Sequence, residues 1–192
     1  MLPLVLASTS RYRRELLERL QLPFSAYPPE TDETPLPGEP PEQLVCRLAE
    51  AKARALKDSH PAHLIIGSDQ LATLDGQIIG KPHTFANAKA QLQAASGRSV
   101  TLLTGLCLYN SQSNHCQVAC VPFTVHFRQL SDAQIERYLH AEQPYDCAGS
   151  FKSEGLGISL FASTEGSDNT SLIGLPLIRL VDMLIKEGIT LP

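Results

Sequence analysis

The run Ser8-Thr9-Ser10-Arg11-Tyr12-Arg13-Arg14 puts hydroxyls and three arginines where a short apolar segment gives way to an amphipathic one. At a strand-to-helix turn, free backbone N–H groups and the helix dipole favour an anion, whereas arginines oppose the dipole. Two readings follow with equal weight on spacing alone: the arginines meet a phosphate that offsets the repulsion, or they point into water. Asp69 closes the apolar run Leu64-Ile65-Ile66-Gly67-Ser68, and a carboxylate at a strand end and sheet edge can hold a metal ion or a water. Asp32 and Glu33, in a proline-rich stretch, could add oxygen ligands for Mg²⁺, although solubilising a loop is the stronger reading of that pair. Lys52 falls four residues after Leu48 and eight after Leu44, beside an apolar stripe, where snorkelling to the rim outweighs a ligand role. Lys81, between Gly80 and Pro82, is either a solvated turn lysine or a cation close to Asp69.

The elements that must carry these side chains are legible in outline. Leu2 to Ala7 reads as a strand, and the following segment, with Leu16, Leu17 and Leu20 on one face, as a helix. A short strand around Phe24 to Tyr27 leads into a loop from Pro28 to Pro41, where proline excludes regular helix. Glu42 to Lys57 has helical spacing, and His63 to Ser68 reads as a buried strand ending at Asp69. Asp75-Gly76 marks a hairpin, and a helix is expected near Phe85 to Ala95. Val100 to Tyr109 and Gln117 to Arg128 should form a long hairpin. Ser131-Asp132 caps a helix through Leu139, a glycine-containing loop spans Tyr145 to Gly155, and Leu172 to Ile185 reads as a terminal helix interrupted by Pro176.

Composition narrows the function classes. A chain of 192 residues can bury roughly 70% of its unfolded surface, and 43% hydrophobic with 19% charged residues is ordinary for a globular protein. A net charge of -4 offers no general attraction to nucleic acid or to an anionic membrane, and no apolar run reaches a membrane span. Five cysteines without a paired CxxC framework read as reduced thiols in a cytoplasmic protein, with Cys116 and Cys120 as packing residues. The six histidines lack zinc-ligand spacing, and neither a P-loop nor a GxSxG elbow is present.

In order along the chain, Leu6-Ala7-Ser8-Thr9-Ser10 with Arg13-Arg14, Asp32-Glu33, Ala51-Lys52-Ala53, Gly67-Ser68-Asp69-Gln70, Gly80-Lys81-Pro82, Thr104-Gly105, Ala148-Gly149-Ser150-Phe151 and Gly174-Leu175-Pro176 resemble the Maf family of nucleoside triphosphate pyrophosphatases. The pieces cover nearly the whole chain. The resemblance implies one Maf-like domain over residues 1–192, an α/β fold related to the ITPases with a central mixed, twisted sheet and two lobes around a nucleotide cleft, often as a homodimer. It also implies cleavage between the α- and β-phosphates with a divalent metal, Mg²⁺ or Mn²⁺. At matching positions Asp69 resembles the proton acceptor for the attacking water. Lys52, Lys81, Ser8 and Arg13 resemble triphosphate ligands, and Glu33, with Asp69, resembles the metal-site carboxylates. Phosphoanhydride hydrolysis is served by those types: an oriented water, a bridging cation and fixed positive charge where the leaving group develops its own.

Tyr12, Gln70 and Glu154 resemble the three positions at which the family divides, and they match the branch that acts on 7-methylguanosine triphosphate rather than on thymidine and uridine triphosphates. Methylation at N7 makes the guanine ring cationic, so an aromatic face attracts it and a carboxylate can accept from N1–H and the exocyclic amine. The alternatives in view are the pyrimidine branch of the same family and a nucleotide-binding regulator of septum formation. A nucleic-acid module has only the Arg11, Arg13 and Arg14 cluster in its favour.

Overall fold

The computed structural model describes residues 2–191. Seven strands form one mixed sheet in the order β2-β1-β3-β5-β6-β7, with β4 pairing β3. The strands are β1 (Leu4–Ala7), β2 (Phe24–Tyr27), β3 (Leu64–Leu74), β4 (Gln77–Ile79), β5 (Ser99–Asn110), β6 (His115–Phe127) and β7 (Phe161–Gly166). The helices are α1 (Arg11–Glu18), α2 (Pro41–Arg54), α3 (Phe85–Ala95), α4 (Asp132–Glu142) and α5 (Leu177–Lys186). The chain divides into two compact units. One comprises the residues up to Gln70, Thr104–Val121 and the residues from Asp168 on; the other comprises Leu71–Leu103 and Pro122–Ser167.

The first unit is built on β1, which runs parallel to both β2 and β3, with Val5 opposite Ser25 and Ile65. A strand buried on both faces carries an unbroken apolar run, and all four residues of β1 are buried. Alternation sends Leu4 and Leu6 into a core with Leu16 and Leu17 of α1 and with Leu180, Met183 and Leu184 of α5. Val5 and Ala7 face the opposite way, into a core with Ala49 and Ala53 of α2, Ile65 and Cys107. Helix α2 lies hard against the sheet because the strands offer glycine there: a Cβ on Gly67 would meet the Ala49 carbonyl oxygen at 2.1 Å, and one on Gly105 the Val45 carbonyl oxygen at 2.1 Å. Those two close approaches fix the seat of the helix that carries Lys52.

In the second unit β7 pairs antiparallel with β6, with a register shift at His126 and Phe127. Phe127, Phe151 and Phe161 meet edge to face, with ring centroids 5.2 to 5.5 Å apart. Helix α4 begins in a reciprocal capping box between Ser131 and Gln134.

Strand β3 departs from the sequence expectation in a way that matters for chemistry. It does not end at Ser68 but continues through Asp69 and Gln70 to Leu74, and it lies between β1 and β5 rather than at the sheet edge. Its pairing with β1 stops at Ile66, and its pairing with β4 begins at Ala72. Asp69 therefore sits in mid-strand, between the stretch paired with β1 and the stretch paired with β4. The terminal helix also differs: Pro176 does not interrupt it but precedes it, with a separate 3-10 turn, Asn169–Leu172, upstream. Proline lacks the N–H that a helix interior needs and is tolerated at the start.

Candidate functional site

Two carboxylates, one from β3 and one from the proline-rich loop, converge on one lysine of the first unit. Lys52, in the last turns of α2, is 7% exposed. Its ammonium donates to Asp69 Oδ1 at 2.6 Å and pairs with Glu33 Oε1 at 2.7 Å. It thus does not snorkel into solvent; the charge is held inside, against two carboxylates. Glu33 reaches in from the proline-rich loop and stays 59% exposed, whereas the Asp69 side chain is 13% exposed. Arg13, half-buried in the first turn of α1, donates from Nε to the Gly174 carbonyl at 2.8 Å. Burial pushes its pKa below the ordinary arginine value, opposed by the fields of Asp69 and Glu33. The guanidinium therefore lies within electrostatic reach of both carboxylates and remains a cation.

The turn that leads into α1 is ordered by its own hydroxyls. Ser8, 8% exposed, accepts the Ser10 N–H on Oγ at 3.1 Å, and Ser10 caps α1 by accepting the Arg13 N–H at 3.4 Å. Of the three arginines in that turn, Arg13 is drawn inward, while Arg11 is exposed and pairs with Glu15. Tyr12 is half-buried, with the Arg11 guanidinium 5.5 Å from its ring centre. Gln70 donates from its amide nitrogen to Thr104 Oγ1 at 3.0 Å and to the carbonyls of Ser171 at 2.7 Å and Leu172 at 3.3 Å.

Two of the expected residues belong to the second unit. Lys81 follows β4 and is exposed. Glu154 is an exposed carboxylate that accepts from Ser153 Oγ at 3.2 Å. Its loop is pinned to α4 on both sides: the Tyr138 hydroxyl accepts the Lys152 N–H at 3.0 Å, and Glu142 Oε2 accepts the Leu156 N–H at 2.7 Å.

The segment that supplies Gly174, Ser171 and Leu172 has no role in the spacing argument, yet it holds much of the site. Asp168, 2% exposed, accepts from the Thr170 N–H and hydroxyl on Oδ1 and from the Ile178 N–H on Oδ2. It ties the 3-10 turn to the start of α5. The Gly174 carbonyl then receives both Arg13 Nε and the buried Ser68 hydroxyl. An Asp followed two residues later by Thr is a local turn signal, and Gly174-Leu175-Pro176 enters through the family resemblance.

Among the described residues no group of three or more His, Cys, Asp and Glu side chains converges as a metal cage. Two carboxylates sharing a cation is a donor set that suits Mg²⁺ or Mn²⁺, which takes few carboxylates and completes its shell with phosphate oxygens and water. The cysteines are all free. Cys107 and Cys116 pack with sulfurs 3.0 Å apart, and burial pushes the Cys120 thiol up to about 11, which disfavours its thiolate.

With this geometry in view, the comparisons with known proteins are decisive for family. The profile described as Maf-like protein matches residues 3–187. The chain belongs to the Maf family. Among its Maf relatives, a protein of Pseudomonas fluorescens (strain Pf0-1) is 71% identical over the whole of both chains and is named 7-methyl-GTP pyrophosphatase. One of Pseudomonas aeruginosa, 64% identical over 98% of each chain, bears the same name. The structure of the Staphylococcus aureus Ham1 protein superposes with a TM-score of 0.56 at 12% identity, covering 97% of this Maf chain and all of that one; this likeness establishes the fold alone.

Proposed function

We propose that this Maf protein hydrolyses 7-methylguanosine triphosphate to 7-methylguanosine monophosphate and pyrophosphate with the help of a divalent cation. The identity of the substrate rests on the full-length relatives named 7-methyl-GTP pyrophosphatase. One geometric observation carries the chemistry: the Lys52 ammonium is held by Asp69 at 2.6 Å and by Glu33 at 2.7 Å, two carboxylates whose fields also act on the Arg13 guanidinium. A triphosphate brings its own negative charge and needs preformed cations, an acceptor for the proton of water and carboxylates for Mg²⁺ or Mn²⁺.

In this reading Asp69 orients the attacking water and takes its proton as the new P–O bond forms and the anhydride P–O bond breaks. Lys52 holds the Asp69 carboxylate in place and neutralises charge on the phosphate oxygens. Arg13 and Ser8 bind the triphosphate, with Lys81 contributing a further cation. Glu33 and Asp69 would hold the metal, which when bound withdraws charge from phosphate oxygens. Tyr12 and Glu154 favour a cationic purine through the ring face and the carboxylate. The same reading takes the enzyme as a cytoplasmic homodimer that clears methylated guanine nucleotides. Five free cysteines support the compartment, and exposed Ile178 and Ile185, one above the other on α5, support a subunit contact.

The test is a panel of 7-methyl-GTP, GTP, dTTP, UTP, CTP and ATP with Mg²⁺ or Mn²⁺, scored by pyrophosphate release. Preference for the methylated nucleotide is expected. Preference for dTTP and UTP would move the protein to the pyrimidine branch, and no turnover on any of them would favour a binding regulator.

A further inference from the structure

Gln70 is bonded in only one of its two amide orientations. Its nitrogen faces the carbonyl oxygens of Ser171 and Leu172, which can only accept, and the Thr104 hydroxyl. Thr104 is fully buried, and its own proton goes to the Ser171 carbonyl at 2.8 Å, so toward Gln70 it too can only accept. Turning the amide over would set Oε1 against three acceptors, two of them on the fully buried Thr104 and Ser171. Among the described residues no donor reaches Oε1. Gly174, with φ of 121°, lines that side: an added Cβ would stand 3.7 Å from Oε1 and 3.4 Å from Arg13 Nε.

We infer that Thr104 is a positioning residue for substrate recognition: by committing its proton to Ser171, it joins the Ser171 and Leu172 carbonyls in fixing Gln70 as a one-way hydrogen-bond acceptor, Oε1 outward, for an N–H of the bound nucleotide. Gln70 then loses the ambidexterity of a free amide. It favours a base edge that donates, as guanine does through N1–H and its amine, and opposes one that presents a carbonyl. The substrate named here rests on the proposed function; the locked amide does not.

Two measurements test this. In the first, Thr104→Val removes the hydroxyl at nearly constant volume, and Thr104→Ser restores it. With whichever triphosphate the panel shows to be cleaved fastest, Thr104→Val should raise KM about three- to tenfold, the scale of one hydrogen bond, with kcat within about twofold. Thr104→Ser should return KM toward wild type. An unchanged KM in Thr104→Val overturns the inference, and so does a loss in kcat alone or a rise in KM that serine does not reverse. The second needs no folded Thr104 variant. The Gln70 side-chain amide, assigned in ¹⁵N–¹H spectra through its loss in Gln70→Leu, should exchange with solvent far more slowly than the exposed glutamine amides of the wild-type chain. Fast exchange overturns the locked orientation whatever the substrate proves to be. Slow exchange with no cleavage of 7-methyl-GTP would instead fault the proposed function alone.

Discussion

Replacing Lys52 by methionine keeps the length of the side chain and deletes the charge on which the cluster closes. Two bonds go at once, those at 2.6 Å to Asp69 and at 2.7 Å to Glu33. Removing one partner of a buried pair costs about 3 to 5 kcal/mol, because the other is left uncompensated. The two carboxylates do not share this equally. Glu33 is 59% exposed and can turn into water, so its part is small after screening; Asp69, 13% exposed on a mid-sheet strand, cannot leave. The expected loss is therefore about 2 to 4 kcal/mol, or about 4 to 16 °C in melting temperature for a chain of this size. Denaturant unfolding followed by circular dichroism measures it. The double variant Lys52→Met/Asp69→Asn sharpens the test, since a neutral amide beside methionine leaves no buried charge behind. It should recover more than about 1 kcal/mol relative to Lys52→Met. Strictly additive losses would refute the claim that Asp69 and Lys52 are a coupled pair.

Further outcomes follow from the same geometry. Gly67→Ala drives a Cβ into the α2 backbone at Ala49, which cannot yield as a side chain could; it should destabilise by more than about 2 kcal/mol and lower turnover by displacing Lys52, as unfolding and steady-state kinetics would show. Glu154→Gln removes a charge from an exposed loop and should leave melting temperature within about 2 °C while reducing the preference for 7-methyl-GTP over GTP, measured as the ratio of kcat/KM. An unchanged ratio would take Glu154 out of base selection.

What the sequence disclosed, and what it did not, divides along a physical line. Periodicity located β1, α1, α2 and the β5–β6 pair, because their faces are apolar and the pattern is local. It stopped β3 too early, because Ser68-Asp69-Gln70 looks like the polar end of a strand. Each of those residues is instead satisfied from far along the chain: Ser68 by Gly174, Asp69 by Lys52, Gln70 by Thr104 and Ser171. No local pattern announces partners that lie 17 to 106 residues away. Lys52 shows the same limit from the other side. Spacing placed it on the apolar stripe of α2 and so favoured a solvated head; the two carboxylates that hold the head inside come from β3 and from a loop with no period at all. The strand β7 and the Asp168 clasp were not anticipated, the first because Phe161–Gly166 is five-sixths exposed and carries little apolar signal, the second because an Asx cap is short.

The most direct test of the account compares pyrophosphate release from 7-methyl-GTP by the wild-type chain and by Asp69→Asn, with 7-methyl-GMP measured alongside. Lys52 keeps Glu33 as a partner in that variant, so the fold should persist with a loss of about 1 to 2 kcal/mol. The account predicts equal amounts of monophosphate and pyrophosphate from the wild type and a fall in turnover of about a hundredfold to ten-thousandfold in a folded Asp69→Asn. Near-normal turnover in that variant would contradict it.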